Sequence, residues 1–119
     1  MARIPLKNEK NCPINRDHRW DMMKINIAGY DWDSGNWPKC GKHGVTKEEI
    51  EAFFESSPSV MPDPHPDEPR IRAIGKTKQG RYLFLVFMFR LIEGQTFLRP
   101  ISARYMHQRE IDYYEKTKD

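Results

Sequence analysis

Arg81-Tyr82-Leu83-Phe84-Leu85-Val86-Phe87-Met88-Phe89-Arg90-Leu91 is the stretch that decides the fold. From Tyr82 to Phe89 apolar residues occupy both alternating faces, the pattern of a central strand covered on both sides. Neighbouring strands must then flank it. Ile71 to Ile74 is one, joined to it through a turn near Lys76-Thr77-Lys78-Gln79-Gly80. Glu93-Gly94-Gln95 turns the chain into another, Phe97 to Arg104. Pro100 within it has no N–H for a ladder, which places that strand at an edge or at a local bulge.

Outward from this core the helices are readable. Thr46 with Glu49 three residues later is a capping box, and Val45 before the cap can staple to Ile50. Ile50, Phe53 and Phe54 give that helix one apolar face, and it ends by Ser56-Ser57-Pro58. A second helix, about Met106 to Lys116, carries Ile111 and Tyr114 inward. Asp33 to Gly41 is a short helix or turn weakened by Gly35 and Pro38. Residues 58–69 hold prolines at 58, 62, 64, 66 and 69, an acidic extended loop with a short strand at Ser59 to Met61. Ile25, Ile27, Tyr30 and Trp32 form a strand whose alternation shifts phase at Gly29. The whole reads as α+β, a small antiparallel sheet packed by helices on a single face.

A chain of 119 residues is one domain. Residues 1–23 lack apolar periodicity, so the domain is expected to span residues 24–119, with a flexible extension or an upstream start before it. The longest apolar run is far short of the ~20 residues of a membrane span, and the N-terminus has no apolar signal core. Cys12 and Cys40 are too few and isolated for a disulfide framework or zinc knuckle. A reduced, cytoplasmic protein without a cofactor is the expectation.

Charge is uneven along the chain. Residues 25–69 carry 3 basic and 9 acidic groups, whereas residues 70–119 carry 11 basic and 5 acidic. So basic a C-terminal half points to an anionic partner, nucleic acid first, or else to a solvated basic face. The histidines lack metal-site spacing, and no phosphate loop or serine elbow is present. Arginine remains. RNA cleavage without a metal needs the 2′-hydroxyl deprotonated, the phosphate's growing charge stabilised and the 5′-oxygen protonated. Guanidinium groups serve the second task, histidine or tyrosine the others. Arg70, Arg81, Arg99 and Arg104 lie on or beside strands that a sheet can bring to one surface, although each alone also suits a surface ion pair. Arg99, Arg104, His107 and Arg109 crowd a strand-to-helix corner able to hold a phosphate. His43, between Lys42 and Gly44, is either an acid–base group or a helix-end residue. Trp32 and Trp37 either stack on bases or belong to the core edge.

The segments Tyr30-Asp31-Trp32-Asp33, Lys42-His43-Gly44-Val45 with Glu49, Arg70 with Ala73-Ile74-Gly75, Gly80-Arg81 and Arg99-Pro100-Ile101-Ser102-Ala103-Arg104-Tyr105-Met106 fall in a telling order. Together they resemble the BrnT family of type II toxins, RelE-like ribonucleases, over roughly residues 24–115. The resemblance implies a RelE-like sheet flanked by helices, metal-independent endoribonuclease activity, and growth arrest through inhibited translation. It implies as partners an RNA substrate and a ribbon-helix-helix antitoxin (BrnA-like) in a toxin2–antitoxin2 complex, with operator DNA reached only through the antitoxin. Carried over by position, Arg70, Arg81, Arg104 and His43 are the catalytic candidates, and Arg99, His107 and Lys42 the RNA-binding ones. Residues 1–23 have no counterpart in the pattern, and Pro38 with Gly41 shortens the first helix. The alternative is a non-catalytic module of the same fold that binds nucleic acid or an antitoxin.

Overall fold

The computed structural model describes residues 26–56 and 58–117; the expected extension, residues 1–23, lies outside them. Five strands form one sheet: β1 (Gly29–Tyr30), β2 (Ser59–Pro62), β3 (Ile71–Lys76), β4 (Tyr82–Ile92) and β5 (Gln95–Tyr105). Their order is β1-β5-β4-β3-β2, so β4 is central, as its apolar pattern requires. β2 to β5 pair antiparallel, while β1 joins β5 in parallel. The sheet is therefore mixed. Of the strand expected from Ile25 to Trp32, Ile25 lies outside the described residues and only two of the rest are paired, with Ile27, Tyr30 and Trp32 packed on the core instead.

Helix α1 (Lys47–Glu55) packs Ile50, Phe53 and Phe54 against Val60, Ala73, Leu83, Leu85, Phe87, Leu98 and Ala103. These side chains are essentially dry, and the rings of Phe54 and Phe87 meet edge to face at 4.8 Å. Thr46 caps the helix by accepting the Glu49 amide at 3.0 Å. Glu49 does not complete the reciprocal half of a capping box; its carboxylate reaches Arg81 instead.

Helix α2 (Gln108–Thr117) overturns the expectation of helices on a single face. Its Tyr114 meets Tyr82 at 6.0 Å, its Glu115 accepts the Tyr82 hydroxyl, and its Glu110 pairs with Arg104. Tyr82 and Arg104 project from the side of the sheet opposite Leu83 and Ala103, so α2 covers part of the second face. It is amphipathic, yet it leans on a rim rather than a core: none of its residues is fully buried.

The β4–β5 hairpin turns through Glu93 and Gly94, at φ 50 and 81°, the paired left-handed residues of a two-residue turn. Further on, Val86 pairs with Ser102 but Phe87 with Pro100, so Ile101 has no partner across the ladder. This bulge accommodates Pro100, as its missing N–H foretold, and it reverses the alternation of the strand. Leu98, Pro100 and Ala103 face α1, and Arg99, Ser102 and Arg104 face the other way. Arg99 and Arg104, five positions apart, would face opposite sides of a regular strand. Asn36, itself buried, fastens the loop after β1 to the bulge by donating to the carbonyls of Pro100 and Asp31 at 2.8 and 2.9 Å.

Candidate functional site

The seven residues singled out in the sequence fall into three groups. Arg81 belongs to the α1 face. Its guanidinium donates to both oxygens of Glu49 at 2.8 and 3.1 Å and lies 4.7 Å over the Tyr105 ring. The Tyr105 hydroxyl donates to Glu49 Oε1 at 3.4 Å and approaches the Gly44 carbonyl at 3.5 Å. Gly44 has φ 93°, a left-handed turn that releases the chain into the α1 cap, and Lys42 and His43 stand exposed just before it. Carboxylate, guanidinium and phenol thus converge, with imidazole and ammonium groups on the adjoining loop. Burial, then the Glu49 charge, raises the Tyr105 hydroxyl above its ordinary range, so it is a proton donor at neutral pH. The Glu49 bonds hold Arg81 charged.

Arg104 lies on the opposite face. Its fork grips Glu110 through two contacts of 2.8 Å while its plane stacks 4.1 Å over Phe84; Arg72 reaches the same ring from β3 at 5.1 Å. Glu110 also accepts the His107 amide at 2.8 Å, and the exposed His107 ring sits 3.8 Å from it. The strand-to-helix corner does collect an anion, but the anion is Glu110. Arg104, followed by the His107 amide, pushes that carboxyl down to about 2. So acidic a group orients its neighbours and is a poor proton acceptor.

Arg99 and Arg70 make the third group. With Lys39 and Glu68 they line one cavity of about 180 Å³ floored by Met88 and Ile101. Arg99 is saturated by Asp31 at 3.1 Å and Asp33 at 3.0 Å, and Arg70 donates to Glu68 at 2.7 Å. The fold therefore unites Arg70 with Arg99 and sets Arg104 on the same side of the sheet. It leaves Arg81 behind the sheet, so the four do not share one surface.

Folding also changes the meaning of the charge asymmetry. Asp31, Asp33, Glu49, Asp63 and Glu68 all come from the acidic middle of the chain, and they pair with Arg99, Arg90, Arg81, Arg72 and Arg70 from the basic half. Much of the apparent excess is an internal match. Trp32 and Trp37 form a core edge, meeting at 5.4 Å with the Lys47 ammonium over both rings. Glu49 and Tyr105 were not among the sequence candidates. A signal for Glu49 existed: a capping-box acid that also goes with the segment Lys42-His43-Gly44-Val45 has two possible duties.

Two cavities adjoin the Glu49 cluster. One, of about 520 Å³, runs between α1 and the β3–β4 turn and is lined by Glu49, Phe53, Gln79 and Arg81; the other, of about 460 Å³, is walled by Trp37, Gly41 and Val45. Thr46 and Glu48 line both, so the first turn of α1 is the ridge between them. Among the described residues, no cluster of three His, Cys, Asp or Glu side chains is placed to hold a metal, and no helix is long and apolar enough to cross a membrane.

No curated protein matches the chain. The family described as "Ribonuclease toxin, BrnT, of type II toxin-antitoxin system" matches residues 32–110, from Trp32 beside β1 to the Glu110 that receives Arg104. Nearly the whole described domain lies inside that match, and the chain belongs to the BrnT family of ribonuclease toxins of type II toxin–antitoxin systems.

Proposed function

We propose that this protein cleaves RNA without a metal at the Glu49–Arg81–Tyr105 cluster, in a RelE-like manner, and so inhibits translation and growth in the cytoplasm. One observation carries the reading: a carboxylate, a guanidinium and a protonated phenol meet within hydrogen-bonding range at the mouth of a groove. Glu49 takes the proton of the ribose 2′-hydroxyl as its oxygen attacks phosphorus. Once protonated, Glu49 loses its hold on Arg81, and the freed fork turns to the phosphate as negative charge grows there. Tyr105 or His43 protonates the departing 5′-oxygen, leaving a 2′,3′-cyclic phosphate. Lys42 steers the backbone from the same loop. Arg104, Arg70, Arg99 and His107, on the other side of the sheet, contact RNA beyond the scissile bond or brace the fold.

The antitoxin that a type II system requires is proposed to be a BrnA-like ribbon-helix-helix protein in a toxin2–antitoxin2 complex, covering the basic C-terminal surface. The test is cleavage of an RNA oligonucleotide in excess EDTA, with and without the protein encoded alongside. Cleavage giving cyclic-phosphate ends, lost in Glu49→Gln and suppressed by that neighbour, is expected. Undiminished cleavage by Glu49→Gln would refute the base assignment. A folded wild-type chain that cuts nothing would favour a non-catalytic binding module.

A further inference from the structure

The first turn of α1 divides two cavities, and each falls within the ~300–1,000 Å³ typical of ligand sites. Glu49 and Arg81 line the larger one, so RNA cut at that cluster would meet the ridge beside the scissile bond. Glu48 stands on the ridge itself. It is exposed and lines both cavities, and among the described residues no hydrogen bond or ion pair engages its carboxylate. Glu49, next to it, is held by Arg81. The two acids therefore have different standing: one is committed to the cluster and the other is free to meet a ligand.

We infer that Glu48 reads the base of a nucleotide flanking the scissile bond and selects bases that carry an exocyclic amino group. The inference rests on the ribonuclease reading above and adds specificity to it. A carboxylate only accepts hydrogen bonds. Adenine N6, cytosine N4 and guanine N1 with N2 offer it N–H donors. Uracil offers one N–H, set between two carbonyl oxygens that repel a carboxylate. The larger cavity suits a base body: Phe53 and Ala52 give it an apolar floor, and Gln79 and Lys78 a polar rim. One hydrogen bond to a charged acceptor corresponds to roughly 10- to 150-fold in affinity.

The test uses the full chain with short 2′-O-methyl RNA, which cannot be cleaved because its 2′-oxygen carries no proton. Four oligonucleotides differing only in adenine, cytosine, guanine or uracil beside the target linkage are titrated by fluorescence anisotropy. The wild type should bind at least one amino-bearing oligonucleotide about 10- to 150-fold tighter than the uracil one. Glu48→Gln, whose amide also donates, should bind uracil nearly as well as the rest while melting at the wild-type temperature. Equal affinity for all four bases, unchanged selectivity in Glu48→Gln, or no saturable binding would each overturn the inference. Binding is read without cleavage. Selectivity lost in Glu48→Gln alongside cutting that survives Glu49→Gln would therefore reject only the catalytic assignment.

Discussion

Arg81 and Arg104 offer a direct test, because the two faces of the sheet give them different surroundings. Arg104 donates twice to Glu110 and once to the Tyr105 carbonyl, and stacks on Phe84. A partly exposed ion pair is worth about 0–1 kcal/mol, and an exposed cation–π contact about 0.5–1 kcal/mol. Arg104→Ala should therefore cost about 0.5–2 kcal/mol, or roughly 2–15 °C in Tm for a domain of this size. Against a total stability of about 5–15 kcal/mol the variant stays folded at 25 °C, so its single-turnover rate should fall by less than about tenfold. Arg81 is half-exposed and its pair contributes little to folding. If its fork meets the phosphate only as charge develops, Arg81→Ala should slow cleavage about 10²–10³-fold with a small change in Tm. The assay is single-turnover cleavage of a fluorogenic RNA, paired with thermal melts of each variant. The reverse pattern, with Arg104→Ala inactive at unchanged Tm and Arg81→Ala fully active, would move the chemistry to the other face and refute the reasoning.

Acid should loosen α2. The Glu110 carboxyl is held at about 2, below its unfolded range, so its contribution is complete above about pH 4.3 and is lost as pH falls toward 2. Melting curves between pH 6 and 2 should show Tm falling across that window. Glu110→Gln should flatten the slope but not abolish it, because the Asp33 and Glu68 carboxyls are also held low by Arg99 and Arg70. An unchanged slope would mean that the pair does not stabilise the fold. Gly41→Ala should destabilise by about 1–3 kcal/mol through overpacking, since its new Cβ would stand 2.6 Å from the Trp37 ring. A melting temperature equal to the wild type would show that the tryptophan edge yields freely.

Much of this architecture is legible from local chemistry. The two-faced apolar run of β4 demanded a central position, the Thr46 cap marked the start of α1, and Pro100 announced a bulge. What escaped depends on distant partners. A two-residue parallel strand has too little pattern to be read, and β1 exists because the Ala28 and Asp31 amides donate to the Thr96 and Leu98 carbonyls. The face covered by α2 was misjudged because Ile111 and Tyr114 give its inner side without saying which side of the sheet it meets. For the site, residue types alone named Arg81 and Arg104 together; only strand parity separates them. Glu49 was visible as a cap, and its link to Arg81 spans 32 positions that no local pattern bridges.

The unpaired Ile101 has a consequence for how this segment can change. In a strand, side-chain facing is a two-state label, and one supernumerary residue inverts the label of everything beyond it. Removing Ile101 would leave each neighbour's chemistry intact while turning either Arg104 inward and Ala103 outward, or Leu98 outward and Arg99 inward. Exchange of Ile101 for another side chain carries no such inversion. Between Arg99 and Arg104, the geometry demands the spacing ahead of the identity of the residue that supplies it.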